Sequence, residues 1–220
     1  MKNSFTEENY LKAIFKLQEK LEGEVSTNEI AEAVNTRAAS VTDMLRKLAE
    51  KKLINYKKYQ GVSLTALGNK IAIEIVRKHR LWESFLVEKL HFKWDEVHDI
   101  AEELEHIESK ELINRLNEFL GFPEYDPHGD PIPTKEGLFK NRKMNVLYDM
   151  PLGFVGNVAG VSEHSKVFLK HLEKLNIGLG VSVKVEDKNE YDNSFWISVE
   201  KNEPVFISKE VAKNVLVFNK

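Results

Sequence analysis

The densest run of potential ligands in the chain is His98-Asp99-Ile100-Ala101-Glu102-Glu103-Leu104-Glu105-His106. In a helix, positions three and four apart share a face. His98, Glu102, Glu105 and His106 would then line one stripe. Two imidazoles and two carboxylates on that stripe crowd like charges, and a divalent cation relieves the crowding. The donors are oxygen and nitrogen with no sulfur, a set suited to manganese, iron(II), cobalt or zinc rather than copper(I). An acidic run without histidine would read as a solvated helix face. The two imidazoles at ligand spacing turn the expectation to a metal site. His79 and Glu83, four apart upstream, form a second ligand-like pair, although alone that spacing reads as a helix-stabilising contact.

The elements that must position these groups follow from patterning. Tyr10, Leu11, Ile14, Phe15 and Leu17 give residues 6–21 a helical period, ended by Gly23. Ser26-Thr27-Asn28-Glu29 is a capping box. It opens a short helix through Ile30, Ala31 and Val34, and a break follows near Asn35-Thr36. A longer helix over about 38–51 has Val41, Leu45 and Leu48 on its core face. Residues 53–65 alternate apolar and polar on both sides of a turn containing Gly61, the pattern of a β-hairpin. Three helices and a basic hairpin describe a winged helix-turn-helix, whose second paired helix enters the major groove. Ser40, Thr42 and Asp43 are placed to reach base edges, and Arg37, Arg46 and Lys47 to reach phosphates. Lys57, Lys58 and Tyr59 stand where wing contacts are expected.

Residues 68–90 continue as an apolar-rich helix, followed by helices over about 94–108 and from Ser109 through Phe119. Such apolar helices leave surface for a second copy, so a symmetric homodimer is expected. Four of the six prolines fall between Gly121 and Gly137, which makes that stretch a loop and His128 a loop residue rather than a ligand. From about Met150 the pattern turns to short strands around 155–161, 181–185, 195–199, 204–208 and 216–218, with a helix at 167–175. Several short strands in so little chain suggest a small barrel.

Charge is distributed in the same three parts. The net charge of the 220 residues is −3, but residues 1–72 carry +3, residues 73–140 carry −7 and residues 141–220 carry +1. The net charge by itself argues against a nucleic-acid binder, but a mildly basic front, a strongly acidic middle and a near-neutral tail read as three parts with different jobs. The absence of cysteine excludes disulfides and thiolate metal sites. The N-terminus lacks the apolar core of a signal peptide, and no apolar run approaches the roughly 20 residues of a membrane helix. The expectation is a cytoplasmic protein with no membrane partner. No G-x-G-x-x-G, P-loop or G-x-S-x-G motif is present. One rival is a helical di-metal carboxylate enzyme, since Glu103-x-x-His106 is a Glu-x-x-His pair. Such bundles need two of these pairs plus Glu from two further helices, and the only second candidate, Asp95-x-x-His98, lies on the same helix. Another rival is a winged-helix regulator whose metal is purely structural. The chain is expected not to be an enzyme.

Several motifs together resemble the diphtheria toxin repressor family of metal-dependent regulators over nearly the whole chain. They are Tyr10-Leu11, Ile30-Ala31-Glu32, Leu64-Thr65 with Gly68, Arg77-Lys78-His79-Arg80-Leu81 with Glu83, Val97-His98-Asp99, Glu105-His106, and Pro127-His128-Gly129-Asp130-Pro131-Ile132-Pro133. The resemblance implies a mainly α protein with a small β domain. Its parts would be a winged helix-turn-helix DNA-binding domain (1–72), a helical metal-binding and dimerisation domain (73–140) and an SH3-like β-barrel (150–220). It implies Mn2+ or Fe2+ as cofactor, a near-palindromic double-stranded operator as partner, and repression of manganese or iron uptake genes. It places one metal site on Asn9, Glu102, Glu105 and His106. A second falls on His79, Glu83 and His98, completed from the third domain with Glu163 as candidate. Iron-sensing relatives have Cys at position 102 and Met at position 9. Small manganese regulators have Asp at 9 and a carboxylate at 12, where this chain has Asn9 and Lys12. Glu102 makes the site harder, which favours manganese, while Lys12 argues against a two-metal cluster there.

Overall fold

A computed structural model describes residues 3–21, 23–57, 61–140 and 142–219. In chain order the helices are α1 (Phe5–Leu21), α2 (Thr27–Ala33), α3 (Ala38–Glu50), α4 (Ala66–Leu90), α5 (Val97–Leu104), α6 (Lys110–Phe119), α7 (Lys166–Lys174) and α8 (Lys209–Asn214). The strands are β1 (Ile54–Lys57), β2 (Gly61–Leu64), β3 (Asn145–Val146), β4 (Val155–Val161), β5 (Ser182–Lys188), β6 (Phe195–Val199), β7 (Val205–Ile207) and β8 (Val215–Asn219). The chain divides into two units. One comprises Met1–His79, Glu102–Ile113 and Pro133–Phe139, the other Arg80–Ala101, Asn114–Ile132 and Lys140–Lys220.

The first unit is built on the winged helix. Leu11 and Ile14 of α1, Ile30 of α2, and Val41, Leu45 and Leu48 of α3 are fully buried in one apolar cluster. Ser26 caps α2 in the expected box: its hydroxyl accepts the Glu29 N–H, and Glu29 accepts the Ser26 N–H at 2.7 Å. Strands β1 and β2 pair antiparallel from Ile54↔Leu64 to Lys57↔Gly61, and Val25 bridges to Val62 on the far edge. Gly68 is required where α4 leaves the hairpin, because a Cβ there would stand 1.9 Å from the Leu53 carbonyl oxygen.

Glu7 pins the start of α1 to α3. It is 1% exposed, accepts the Ser4 N–H at 2.8 Å, and lies 2.8 Å from Lys51 and 3.1 Å from Lys47. Burial alone would raise its pKa, but Lys51, the Ser4 N–H and Lys47 outweigh burial and hold it at about 2 instead of 4.5. A depressed carboxyl contributes stability above its unfolded pKa, and that contribution is lost as pH falls through the folded value. Glu7→Gln is therefore expected to cost about 2 kcal/mol near neutral pH. Urea unfolding should show the gap to wild type closing as pH drops from 4.5 towards 2. A gap independent of pH would refute the ion pairs as its source.

The second unit carries a six-stranded antiparallel sheet in the order β3-β8-β4-β5-β6-β7. Register breaks at Val158/Gly160 and Val185/Asp187 mark bulges, which increase bend and twist. Its core holds Val158, Val185, Phe195, Ile197, Val215 and Val217 against Leu169 and Leu172 of α7. Ser165 and Ser208 cap α7 and α8. The alternating strands suggested a small β domain here, and the family resemblance implied an SH3-like one. Lys166 pairs with Asp99 at 2.6 Å and Lys93 with Glu173 at 2.7 Å.

One element departs from expectation. The helix expected over 94–108 is confined to Val97–Leu104. The Ile107 N–H bonds the Leu104 carbonyl, so the chain tightens into a turn at Glu105-His106. The four-residue stripe is thus not one helix face: His98 is half exposed, whereas Glu105 and His106 turn into the interior.

Candidate metal centre

In the first unit Glu105 is the hub. Its side chain is fully buried, and Oε2 lies 2.6 Å from His79 Nδ1 of α4. Lys12 Nζ of α1 donates to both Glu105 oxygens, at 2.7 and 2.8 Å, and to Glu102 Oε1 at 2.5 Å. His79, Glu102 and Glu105 each bring one ligand atom to within 4.8 Å of the others. His106 Nδ1 is 2.6 Å from Glu8 Oε2, its ring stacks on Phe5, and Nε2 faces Glu105 Oε1 at 3.9 Å. A carboxylate on one imidazole nitrogen fixes the tautomer and leaves the other nitrogen as the ligand. Asn9 stands one turn before Lys12 on α1, and its Oδ1 is buried with no hydrogen-bond partner. An orphaned buried oxygen one turn from Lys12, whose ammonium lies on the clustered carboxylates, is a donor suited to a hard divalent cation.

The second unit holds another cluster. Glu83, Asp126 and His128 are all buried, with ligand atoms within 4.8 Å of one another. His128 Nδ1 lies 3.6 Å from Glu83 Oε2, and Nε2 donates to the Trp94 carbonyl at 2.9 Å. Glu83 Oε1 faces His98 Nδ1 at 3.5 Å. Asp126 Oδ1 accepts the N–H groups of His128 and Asp130, at 2.8 and 3.0 Å. Burial, with the charges of Asp130 and Glu83, pushes the Asp126 carboxyl up to about 7. Burial alone would lower His128, but its contact with Glu83 and the charge of Asp126 raise it to about 9. Both shifts mark a pocket rich in buried negative charge, the condition a cation relieves.

Sequence reasoning assigned Asn9, Glu102, Glu105 and His106 to one site and His79, Glu83 and His98 to another. It did not find Glu8, Lys12 as a direct partner of the carboxylates, or Asp126. His128, read as a loop residue, is in the loop but buried against Glu83. A carboxylate and an imidazole two apart in a proline-rich loop was the signal available. Glu163 is exposed and accepts the Ser165 N–H at 2.7 Å. Glu103, needed by the di-metal enzyme, is exposed on α5.

In the winged helix, Arg37, Ser40, Asp43, Arg46 and Lys47 are exposed along the start and outer face of α3. Thr42 is half-buried and donates to the Ala38 carbonyl, Arg46 pairs with Asp43 at 3.3 Å, and Lys47 reaches Glu7. Lys57 is exposed at the end of β1, while Lys58 and Tyr59 lie outside the described residues.

Residues 4–62 match the N-terminal DNA binding domain of iron dependent repressors, residues 65–134 their metal binding and dimerisation domain, and residues 146–218 the FeoA domain. A solved structure described as a manganese-dependent transcriptional repressor complex with manganese is 34% identical. It covers 97% of this chain and 100% of its own, with a TM-score of 0.85. The chain belongs to the diphtheria toxin repressor family. The iron-dependent repressor IdeR of Mycobacterium leprae is 34% identical over 156 residues, 67% of each chain. A probable metal transport system membrane protein of Chlamydia trachomatis serovar D is 46% identical over 88 residues, 40% of this chain and 19% of that protein. The family fold therefore extends along the whole chain, whereas its stronger local identity to the chlamydial protein covers a small part of that protein. Among the described residues no helix is long and apolar enough to cross a membrane.

Proposed function

We propose that this protein is a cytoplasmic, metal-dependent DNA-binding repressor that controls genes for manganese or iron uptake. Residues 1–72 would bind DNA, residues 73–140 would hold metal and pair two copies, and residues 150–220 would form the SH3-like domain. The observation that carries the reading is the cluster of His79, Glu102 and Glu105, whose ligand atoms lie within 4.8 Å of one another, with the orphaned Asn9 oxygen one turn before Lys12 on α1, a helix of the winged-helix core. Asn9, Glu102, Glu105 and His106 would hold one Mn2+ or Fe2+ ion. Glu83 and His98, with Asp126 and His128, would hold another. The ion would supply the positive charge these carboxylates share and draw Asn9 Oδ1 onto them. The donors lie on α1 at one end and on the α5 turn at the other, so their convergence restricts how α1 can move. A homodimer constrained in this way presents its two α3 helices at the spacing of a near-palindromic operator. Exposed Leu90, Phe119 and Phe122 supply apolar surface for the second copy. Coupling of about 1–3 kcal/mol corresponds to a 5–150-fold gain in DNA affinity.

The test is fluorescence anisotropy of the metal-free protein on its own upstream DNA, titrated separately with manganese, anaerobic iron(II) and zinc. Tight binding only with manganese or iron is the expected result, and binding indifferent to every metal would overturn the reading. In the same assay Arg46→Ala is expected to weaken binding and reduce the slope of log K against log salt by about one, the signature of a single lost phosphate contact. An unchanged slope would remove Arg46 from the interface.

A further inference from the structure

Lys12 is the feature of the first centre that a metal-sensing site does not need. It is a buried lysine, 5% exposed, and its ammonium sits between the two carboxylates with Nζ–O distances of 2.5, 2.7 and 2.8 Å. Glu105 spends both oxygens on it. A lysine is normally kept out of a core unless paired, so this placement is held by the carboxylates themselves. The ammonium and a divalent cation demand the same oxygens. At a separation of a few ångströms in a buried site their mutual repulsion is large, so the two do not share the pair.

We propose that Lys12 is a tethered competitor for the metal: its ammonium occupies Glu102 and Glu105, and metal binding is an exchange of one cation for another. The proposal rests on the metal-sensing reading given above. In the metal-free protein Lys12 already neutralises the acidic pair and ties α1 to the turn at Glu105. Binding must then expel the ammonium, whose four-carbon stem has the torsional freedom to swing away. The ion takes over the carboxylates and adds Asn9 Oδ1, which Lys12 leaves unsatisfied. The consequence is a raised threshold: the site fills only when the metal outcompetes an internal cation that is always present.

The experiment compares wild type with Lys12→Met, which keeps an unbranched stem without the ammonium and offers only a soft thioether that Mn2+ does not favour, and with Lys12→Arg, which keeps the charge. Free Mn2+ is counted by electron paramagnetic resonance, and metal-free melting is followed in parallel. Lys12→Met is expected to bind Mn2+ at one class of site about ten- to a hundredfold more tightly, the range set by losing charged hydrogen bonds to the ammonium. It should also melt lower without metal and gain more on adding it. Lys12→Arg should bind like wild type. Equal or weaker affinity in Lys12→Met, with wild type still binding Mn2+, would overturn the competitor and leave the sensor standing. No Mn2+ bound by either protein would overturn both. A second measurement needs no variant. In wild type, acylation of Lys12 by an amine-reactive reagent, read by peptide mass, should be slow without metal and rise several-fold at saturating Mn2+. Protection that persists with metal bound would also overturn the exchange.

Discussion

Glu105→Ala is expected to abolish the metal response of DNA binding, leaving affinity in Mn2+ no tighter than in chelator. Its side chain is the one that every arm of the first centre reaches: Lys12 from α1, His79 from α4 and, at 3.9 Å, His106 from the adjacent turn. Truncation removes two candidate metal-ligating oxygens. It also removes the carboxylate that faces the buried His79 Nδ1 and leaves the Lys12 ammonium on Glu102. Removing one partner of a buried ionic group typically costs about 3–5 kcal/mol, so the metal-free variant should also unfold at lower urea. Glu105→Gln separates the two effects. The amide keeps an oxygen for Lys12 and restores much of the stability, but it removes the charge that a divalent cation requires. His106→Ala should cost less stability, because its partners Glu8 and Phe5 lie nearer the surface. A Glu105→Gln protein that still tightens on DNA with Mn2+ would remove this centre from the switch.

Much of this architecture could be read from the sequence because it is local. Ser26 and Glu29 announce the start of α2, Val41, Leu45 and Leu48 announce the buried face of α3, and alternation over 53–65 announces the hairpin. Each signal concerns residues that are neighbours in the chain. The short strand β3 and the helix α8 went unread, since two or six residues carry too little period to stand out. The helical spacing of 98–106 singled out Glu102, Glu105 and His106 as candidate ligands but gave them the wrong geometry. Glu105 and His106 leave α5 to meet Lys12, His79 and Glu8, which are 26 to 98 residues away. No period within the run encodes partners at that distance. The same holds for Asp126 and His128. Their loop has no repeat, and its role follows from its folding onto Glu83 and β4.

That folding makes the second large effect predictable. Gly129 has φ +91, a conformation that side chains with a Cβ rarely adopt. A Cβ there would stand 2.2 Å from the Ala159 carbonyl oxygen and 2.4 Å from Gly160 Cα, both backbone atoms of β4. Neither can step aside as a flexible side chain would, because β4 is paired with β5 and β8 on its two edges. The loop is also stitched to this strand by the Val161 N–H, which donates to the His128 carbonyl at 3.0 Å. Gly129→Val, bulky and β-branched, must therefore lift the loop from β4 and carry His128 and Asp126 away from Glu83. The expected cost is about 3 kcal/mol, from backbone strain and overpacking together. The functional consequence is more selective than the loss of stability. Manganese counted by electron paramagnetic resonance should fall from two ions per chain to one. The surviving ion should be the one sensitive to Glu105, whose donors belong to the other unit. Two ions retained in Gly129→Val would mean that Glu83 holds its metal without this loop, and that the buried pair Asp126 and His128 serves only to fasten the loop to the sheet.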